Sequence, residues 1–378
     1  MGSVGIITIM DRTGNFGNRL QNFALQKVLG ALGYDATTIP NTPRLGDGSP
    51  IGSKIAVLRK DGLKAFAHKA LSLTTPPSPP PPPHPLVIQR LEGNNNFSST
   101  HIQVWPRHYS DIQDTQEFAR SFDYFVAGSD QVWNPRFRLL NHVDFLTFAD
   151  ERQRIAYAAS IGIDDLLPHE KRQYRRYLRG IPSISVREDR AAEIVHDLTG
   201  RRAPVVLDPT MLLPAETWQS LAVAPNDLPP GKYIAKFYLG QEMPREKELI
   251  AERARKSGLR VVDLNDTNTP EHYLTSPLEF LGAIKNAGLV IADSYHAAVF
   301  STIFQIPHAI KGRGLMNSRF ESLERKTGIH ATEWQTQAAL DATLDINWDA
   351  VSSRLADERR EALAFLAQAL GVSPLKRS

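Results

Sequence analysis

Hydrophobic positions along this chain fall into two kinds of stretch. Short, largely unbroken apolar runs stand at 4–9, 36–39, 122–128, 154–160, 183–186, 204–207, 232–240, 260–264 and 289–292. Between them, residues 19–29, 169–179, 189–196, 244–256, 277–286 and 349–370 carry apolar residues at helical spacing among polar ones. The short runs, bounded by Gly, Pro or Asp, fit strands buried on both faces, and the spaced segments fit amphipathic helices. Strands and helices alternate through most of the chain, the order from which helix-covered parallel sheets are built.

The alternation comes in two successive sets. It predicts two facing Rossmann-like α/β domains, with the ligand site in the interdomain cleft near the carboxyl ends of the strands. The first domain is expected over 1–180 and the second over 181–345. Residues 346–378 are expected to hold a C-terminal helix that packs across the hinge, with Val351, Leu355, Leu363, Leu366 and Leu370 inward. Inside the first domain, 76–85 is proline throughout except for Ser78 and His84. Such a run lacks backbone donors and favours an extended form. It reads as a surface linker or insertion, with a ligand for a proline-reading domain as the lesser alternative.

Composition narrows the function class. A chain of 378 residues suits two cores rather than one. The absence of cysteine removes disulfides, thiolate metal sites and a cysteine nucleophile. The 11 histidines show no metal-ligand spacing, so neither a metal nor a tightly held cofactor is expected. The net charge of +3, from 44 basic and 41 acidic residues, is too small to point to nucleic acid. The opening apolar run is too short to span a bilayer and follows no basic segment, so an unanchored cytoplasmic protein is expected.

Four loops at predicted strand ends carry the candidate chemistry. In Gly14-Asn15-Phe16-Gly17-Asn18, the glycines allow close backbone approach and the following helix N-terminus favours an anion. The plainer reading is a tight turn with Asn18 as the helix cap. In Gly128-Ser129-Asp130-Gln131-Val132-Trp133-Asn134-Pro135, an indole beside Asp, Gln and Asn suits a sugar ring, with an Asp/Asn-rich turn and Trp133 as core filler as the lesser alternative. In Val186-Arg187-Glu188-Asp189-Arg190, the Arg187 fork suits a phosphate or carboxylate, and 169–202 is locally basic with nine Lys/Arg against five acids. In Asp293-Ser294-Tyr295-His296, the imidazole sits at a helix start where it can relay protons. Downstream, Lys311, Arg313 and Arg319 add cations to the same region.

At these loops the chain resembles the polysaccharide pyruvyl transferase family, over nearly its whole length. The resemblance rests on Asn15 to Asn22, on GSDQVWNP at Gly128 to Pro135, and on VRE at 186–188. It rests also on LDPT at 207–210, and on Ala292 to Ser301, which is similar to TDSFHGTVFS. The family implies a GT-B-like fold and transfer of pyruvate from phosphoenolpyruvate to a sugar as a ketal. The VR(D/E) arginine carries over to Arg187 and the histidine of an Arg-Leu-His triplet to His296. The triplet's Arg and Leu are replaced by Ser294 and Tyr295, which leaves Arg319 or Lys311 to supply the missing cation.

His296 is thus expected to be the acid/base, with Asp130 or Asp293 orienting it or the acceptor. Arg187, Arg319, Lys311, Ser294, Asn15, Asn18, Gln131, Trp133 and Asn134 are expected to bind substrates. The partners implied are a small-molecule donor and a saccharide acceptor, free or lipid-linked; the oligomeric state stays open. A lipid-linked acceptor would bring the chain to the inner face of the membrane, with the basic helix at 169–179 as the docking element. Two alternatives share the fold: a glycosyltransferase using a nucleotide sugar, and a catalytically silent sugar-binding protein.

Overall fold

The computed structural model describes residues 1–10, 14–42, 82–225, 228–312, 317–331, 334–342 and 344–373. Strands β1 (Gly2–Ile7), β2 (Tyr34–Thr38), β3 (Tyr124–Ala127), β4 (Arg154–Ala159) and β5 (Ser183–Val186) form one sheet in the order β2-β1-β3-β4-β5, parallel throughout. Strands β6 (Tyr233–Phe237), β7 (Arg260–Asp263), β8 (Leu289–Ala292) and β9 (His308–Ile310) form a second parallel sheet in the order β7-β6-β8-β9. Val4, Ile6 and Ile7 in β1 and the whole of β8 are buried, as unbroken apolar runs require of strands covered on both faces. The principal helices are α1 (Phe16–Ala31), α2 (Pro85–His101), α3 (Pro168–Arg179), α4 (Asp189–Thr199), α5 (Pro244–Ser257), α6 (Pro277–Lys285), α7 (Tyr295–Ile303), α8 (Ser318–Thr327) and α9 (Trp348–Ala369).

This is the two-sheet α/β arrangement expected of a GT-B-like chain. In each sheet the strand order reverses beside the first strand, between β1 and β3 and between β6 and β8. Loops leaving the carboxyl ends at such a reversal diverge and leave a crevice. One continuous apolar cluster joins the two halves. Phe16, at the start of α1, lies 6.2 Å from Phe237 of β6 and 5.4 Å from Phe280 of α6, ring centre to ring centre. Arg90 of α2 fastens the halves further, donating to Leu274 O at 2.7 Å and Asn265 Oδ1 at 2.6 Å while lying over the Tyr273 ring.

Three expectations are corrected. Residues 204–207 form no strand, because Pro204 has no N–H to give and only a single bridge, Val186 to Val205, is made. The segment 183–186, placed in the second domain, pairs with β4 and closes the first sheet, so the first α/β unit runs past 180. Helix α2, strand β9 and helix α8 had no periodic signal strong enough to be read. Of the proline run, 76–81 lie outside the described residues; Pro85 opens α2, where its missing N–H costs nothing. The C-terminal α9 touches both halves: Arg359 Nε donates to Met211 O at 2.5 Å, Phe365 meets Tyr157, and Glu358 pairs with Lys326 of α8. No helix among the described residues is long and apolar enough to cross a membrane.

Candidate active site

The strand ends of the first sheet bring three charged residues together. β3 runs into Gly128, whose φ of 118° suits glycine, and a Cβ there would lie 2.2 Å from Tyr157 O. Asp130 follows with a φ of 71°, a conformation aspartate tolerates. Its carbonyl is held by Val132 N at 2.8 Å and Ser160 N at 3.0 Å. β4 ends in a register shift between Ala156 and Ala159, which turns the chain at Ser160 towards the same place. β5 delivers Arg187 and Glu188, and the segment bridged to it delivers Asp208.

Arg187 is buried and donates from Nη1 to Asp208 Oδ2 at 2.8 Å and from Nη2 to Asp130 Oδ1 at 3.2 Å. Burial works against its charge, but Asp130, Tyr295, Asp208 and Glu188 outweigh that and make it a harder proton to remove than usual. Asp208 is fully buried. Its Oδ1 accepts from Thr210 N and Oγ1 at 3.1 and 2.8 Å, and its Oδ2 accepts from Ser129 Oγ at 3.1 Å as well as from Arg187. Burial alone would favour the neutral acid. His296 and Arg187 prevail and hold the Asp208 carboxyl well below the usual carboxylate range.

His296 arrives from the second sheet. β8 ends at Asp293, whose two oxygens accept from Leu239 N at 2.6 Å and Gly240 N at 2.8 Å, tying the loop after β6 to the loop after β8. The next residues begin α7 and set His296 Nε2 3.7 Å from Asp208 Oδ2, beyond hydrogen-bond length but close enough for charge to matter. The ring also abuts α1 of the first half. A Cβ on Gly17 would lie 2.0 Å from His296 Nδ1, so glycine there lets the two halves meet.

Tyr295 stands at the centre. The Arg187 guanidinium lies 4.5 Å from its ring centre and that of Arg319, from α8, 5.7 Å. Burial, then the Arg187 charge, lowers the Arg319 pKa to about 10. Burial likewise pushes the Tyr295 hydroxyl up. Among the described residues, Arg187 Nε, Glu188 Oε2 and His296 Nε2 are buried without a hydrogen-bond partner. Each such atom costs about 1–3 kcal/mol. Three of them round one tyrosine mark where a polar ligand would complete the set.

The structure brings Arg187, Arg319, Asp130 and His296 together and gives the other candidate residues different surroundings. Asp130 pairs with Arg187; the carboxylate beside His296 is Asp208, not Asp130 or Asp293. Both oxygens of Asp293 are committed to backbone N–H groups. Lys311 is held by Gln241 O at 2.8 Å and Glu246 Oε2 at 2.9 Å, so its charge is spent there. Trp133 is core: its ring stacks on Phe145 at 5.3 Å and its Nε1 donates to Asp144 O at 3.0 Å. Asn134 caps the short helix Pro135–Arg138 through Oδ1 and donates from Nδ2 to Gln131 Oε1 at 2.8 Å. Asn15, not Asn18, caps α1, accepting from Gly17 N at 2.9 Å; Asn18 is buried in the first turn. Ser294 is the residue before α7 and makes no side-chain cap bond. Arg313 lies outside the described residues. Among the described residues, two buried arginines, 187 and 319, stand with three buried carboxylates, Asp130, Glu188 and Asp208.

Asp208, Ser129, Glu188 and Tyr295 stand in the quoted motifs but were given no site role from the sequence. Asp208 stands in the LDPT element at 207–210, the signal that marks it.

A family model described as polysaccharide pyruvyl transferase matches residues 15–312, which include all four loops but for Gly14. A search of curated proteins finds no match. Among solved structures, an S. aureus MnaA–UDP co-structure aligns over 100% of this chain and 99% of its own at 10% identity and a TM-score of 0.48. UDP-GlcNAc 2-epimerase from Neisseria meningitidis aligns over 97% and 100% at 9% identity and 0.48. Spinosyn rhamnosyltransferase SpnG aligns over 98% and 100% at 11% identity and 0.44. At this level of likeness they carry no argument about ligand or reaction.

Proposed function

The chain belongs to the polysaccharide pyruvyl transferase family, and from that premise we propose that it moves pyruvate from phosphoenolpyruvate to a sugar of a polysaccharide or its precursor, closing a cyclic ketal. The observation that supports this reading best is His296 Nε2, buried, without a hydrogen-bond partner, and 3.7 Å from a carboxylate kept ionised. Asp208 is a negative partner for the charge the ring takes on with a second proton. In this reading the imidazolium gives its Nε2 proton to C3 of the donor, using the C2–C3 π electrons. C2 becomes cationic and a sugar hydroxyl bonds to it. Phosphate then leaves with the C2–O pair, and a second hydroxyl on the same sugar closes the ring. General acid help of this kind is worth on the order of 10²–10⁴ in rate.

Arg187 and Arg319 are the cations for the donor's carboxylate and phosphate. Arg187 is already pinned by two aspartates, so its fork is pre-organised and loses little freedom on contact. Thermal shift tests the reading. Stabilisation by phosphoenolpyruvate is expected; stabilisation only by a UDP- or GDP-sugar would replace it with glycosyl transfer, and a response to neither would favour a silent sugar-binding protein.

A further inference from the structure

The proposed reaction needs a group to receive the proton of the incoming hydroxyl, and His296 cannot serve while it is delivering its own. We propose that Glu188 is that group, and that its Oε2 is the point where a saccharide hydroxyl docks. This rests on the pyruvyl-transfer reading and adds the acceptor side to it.

The two oxygens of Glu188 are in opposite situations. Oε1 accepts three hydrogen bonds, from Ser160 Oγ at 3.0 Å, Ile161 N at 2.8 Å and Gly162 N at 3.0 Å, which fix the carboxylate rigidly against the loop after β4. Oε2 accepts none among the described residues, although the side chain is 1% exposed. A buried carboxylate oxygen is a strong acceptor and does not stay unsatisfied for nothing. Its surroundings say what would satisfy it. Glu188 directly follows Arg187 in the chain, and its charge bears on Arg187, Tyr295 and Arg319, so it belongs to the same charged cluster as the donor cations. An anion would be repelled there; a neutral hydroxyl donor fits. The carboxylate also cannot be a helix cap in disguise, because although Glu188 precedes α4 its side chain makes no cap bond to that helix.

The step balances. The acceptor oxygen bonds to C2 as its proton passes to Glu188 Oε2. Loss of phosphate, with the C2–O electron pair, prepares C2 for the second hydroxyl. Of the two hydroxyl protons, one ends up replacing the proton placed on the methyl carbon and the other on the released phosphate, so no co-reactant is consumed.

Glu188→Gln is the informative variant, since its amide oxygen can keep the three Oε1 contacts while its NH₂ replaces the acceptor at Oε2. The full chain is incubated in D₂O with phosphoenolpyruvate and a set of methyl hexopyranosides. Deuterium entry at C3 of the donor pool is followed by NMR and ketal formation by mass spectrometry. The proposal expects Glu188→Gln to keep the wild-type thermal shift with phosphoenolpyruvate and continue C3 exchange, while ketal formation falls about 10²–10⁴-fold. Glu188→Asp, charged but a methylene shorter, should fall less, and it serves if the Gln variant does not fold. Ketal formation by Glu188→Gln within threefold of wild type overturns the proposal, as does loss of exchange and transfer together. Wild-type exchange with transfer to no glycoside overturns the hydroxyl-docking role alone. Wild type that neither binds nor exchanges phosphoenolpyruvate removes the pyruvyl-transfer reading itself.

Discussion

Gly17→Ala adds one methyl group to the first turn of α1 and removes no charged group, yet it should disable the site. The new Cβ would stand 2.0 Å from His296 Nδ1, 2.4 Å from Cγ and 2.6 Å from Cε1. An ordinary contact is about 3.5 Å, so the ring or the helix end must yield by roughly 1.5 Å. Misplacing a reacting group by about 1 Å costs on the order of 10² in rate. Stability responds differently. Overpacking costs about 1–3 kcal/mol, and replacing glycine in a helix returns about 1 kcal/mol of it. The net loss is about 0–2 kcal/mol, a fall of a few degrees in Tm. Phosphate release from phosphoenolpyruvate in the presence of acceptor, measured beside the melting curve, separates the two effects. Turnover should drop at least 100-fold in a protein that still melts cooperatively near the wild-type temperature. Full turnover in Gly17→Ala would refute the claim that His296 acts from the position seen against α1.

Other perturbations probe the same account. Asp208→Asn keeps the shape but removes the charge beside His296 and one partner of buried Arg187, so turnover should fall on the order of 10²-fold or more and stability by about 3 kcal/mol. Folding holds the Asp208 carboxyl below its unfolded value of about 3.9, so its stabilisation is present above that pH and lost below it. Melting curves of Asp208→Asn should accordingly be flatter than wild type below about pH 4. His308, buried at the start of β9 with Nδ1 3.0 Å from Ile306 O, is pushed by burial down to about 4. The unfolded chain therefore takes up that proton first, and stability should fall by about 3 kcal/mol as pH drops from about 6.5 to 4, a slope that His308→Gln removes. Trp133→Phe should lower stability by about 1–3 kcal/mol through the lost bond to Asp144 O and leave the acceptor KM unchanged. A raised KM at unchanged stability would restore Trp133 as a sugar platform.

The parallel framework was legible because the inner strands are buried on two faces, which writes β1, β3, β4 and β8 as apolar runs. Segments 183–186 and 289–292 match β5 and β8 residue for residue. What failed were places where local pattern and tertiary pairing disagree. Residues 204–207 are as apolar as a strand but make only one bridge, and α2, with Asn94 to Asn96 in its middle, lacks an apolar stripe because it is held by single anchors such as Arg90 and Phe97. At the site, the strand-end positions of Arg187 and His296 could be read from sequence, whereas their partners could not. Asp130 and Asp208 lie 78 residues apart (208 − 130) and both reach one guanidinium, a pairing set by the fold. Trp133 misled for a related reason: polar neighbours in sequence turned out to be caps and ties for its own loop, while the indole faces Phe145.

The central claim is that His296 delivers a solvent-exchangeable proton to C3 of phosphoenolpyruvate, and NMR of the ketal formed in D₂O tests it most directly. The account predicts that the wild-type product carries at least one deuterium in the pyruvyl methyl group and that His296→Gln, folded by its melting curve, forms no ketal. A product methyl without solvent deuterium, or wild-type turnover by His296→Gln, would contradict it.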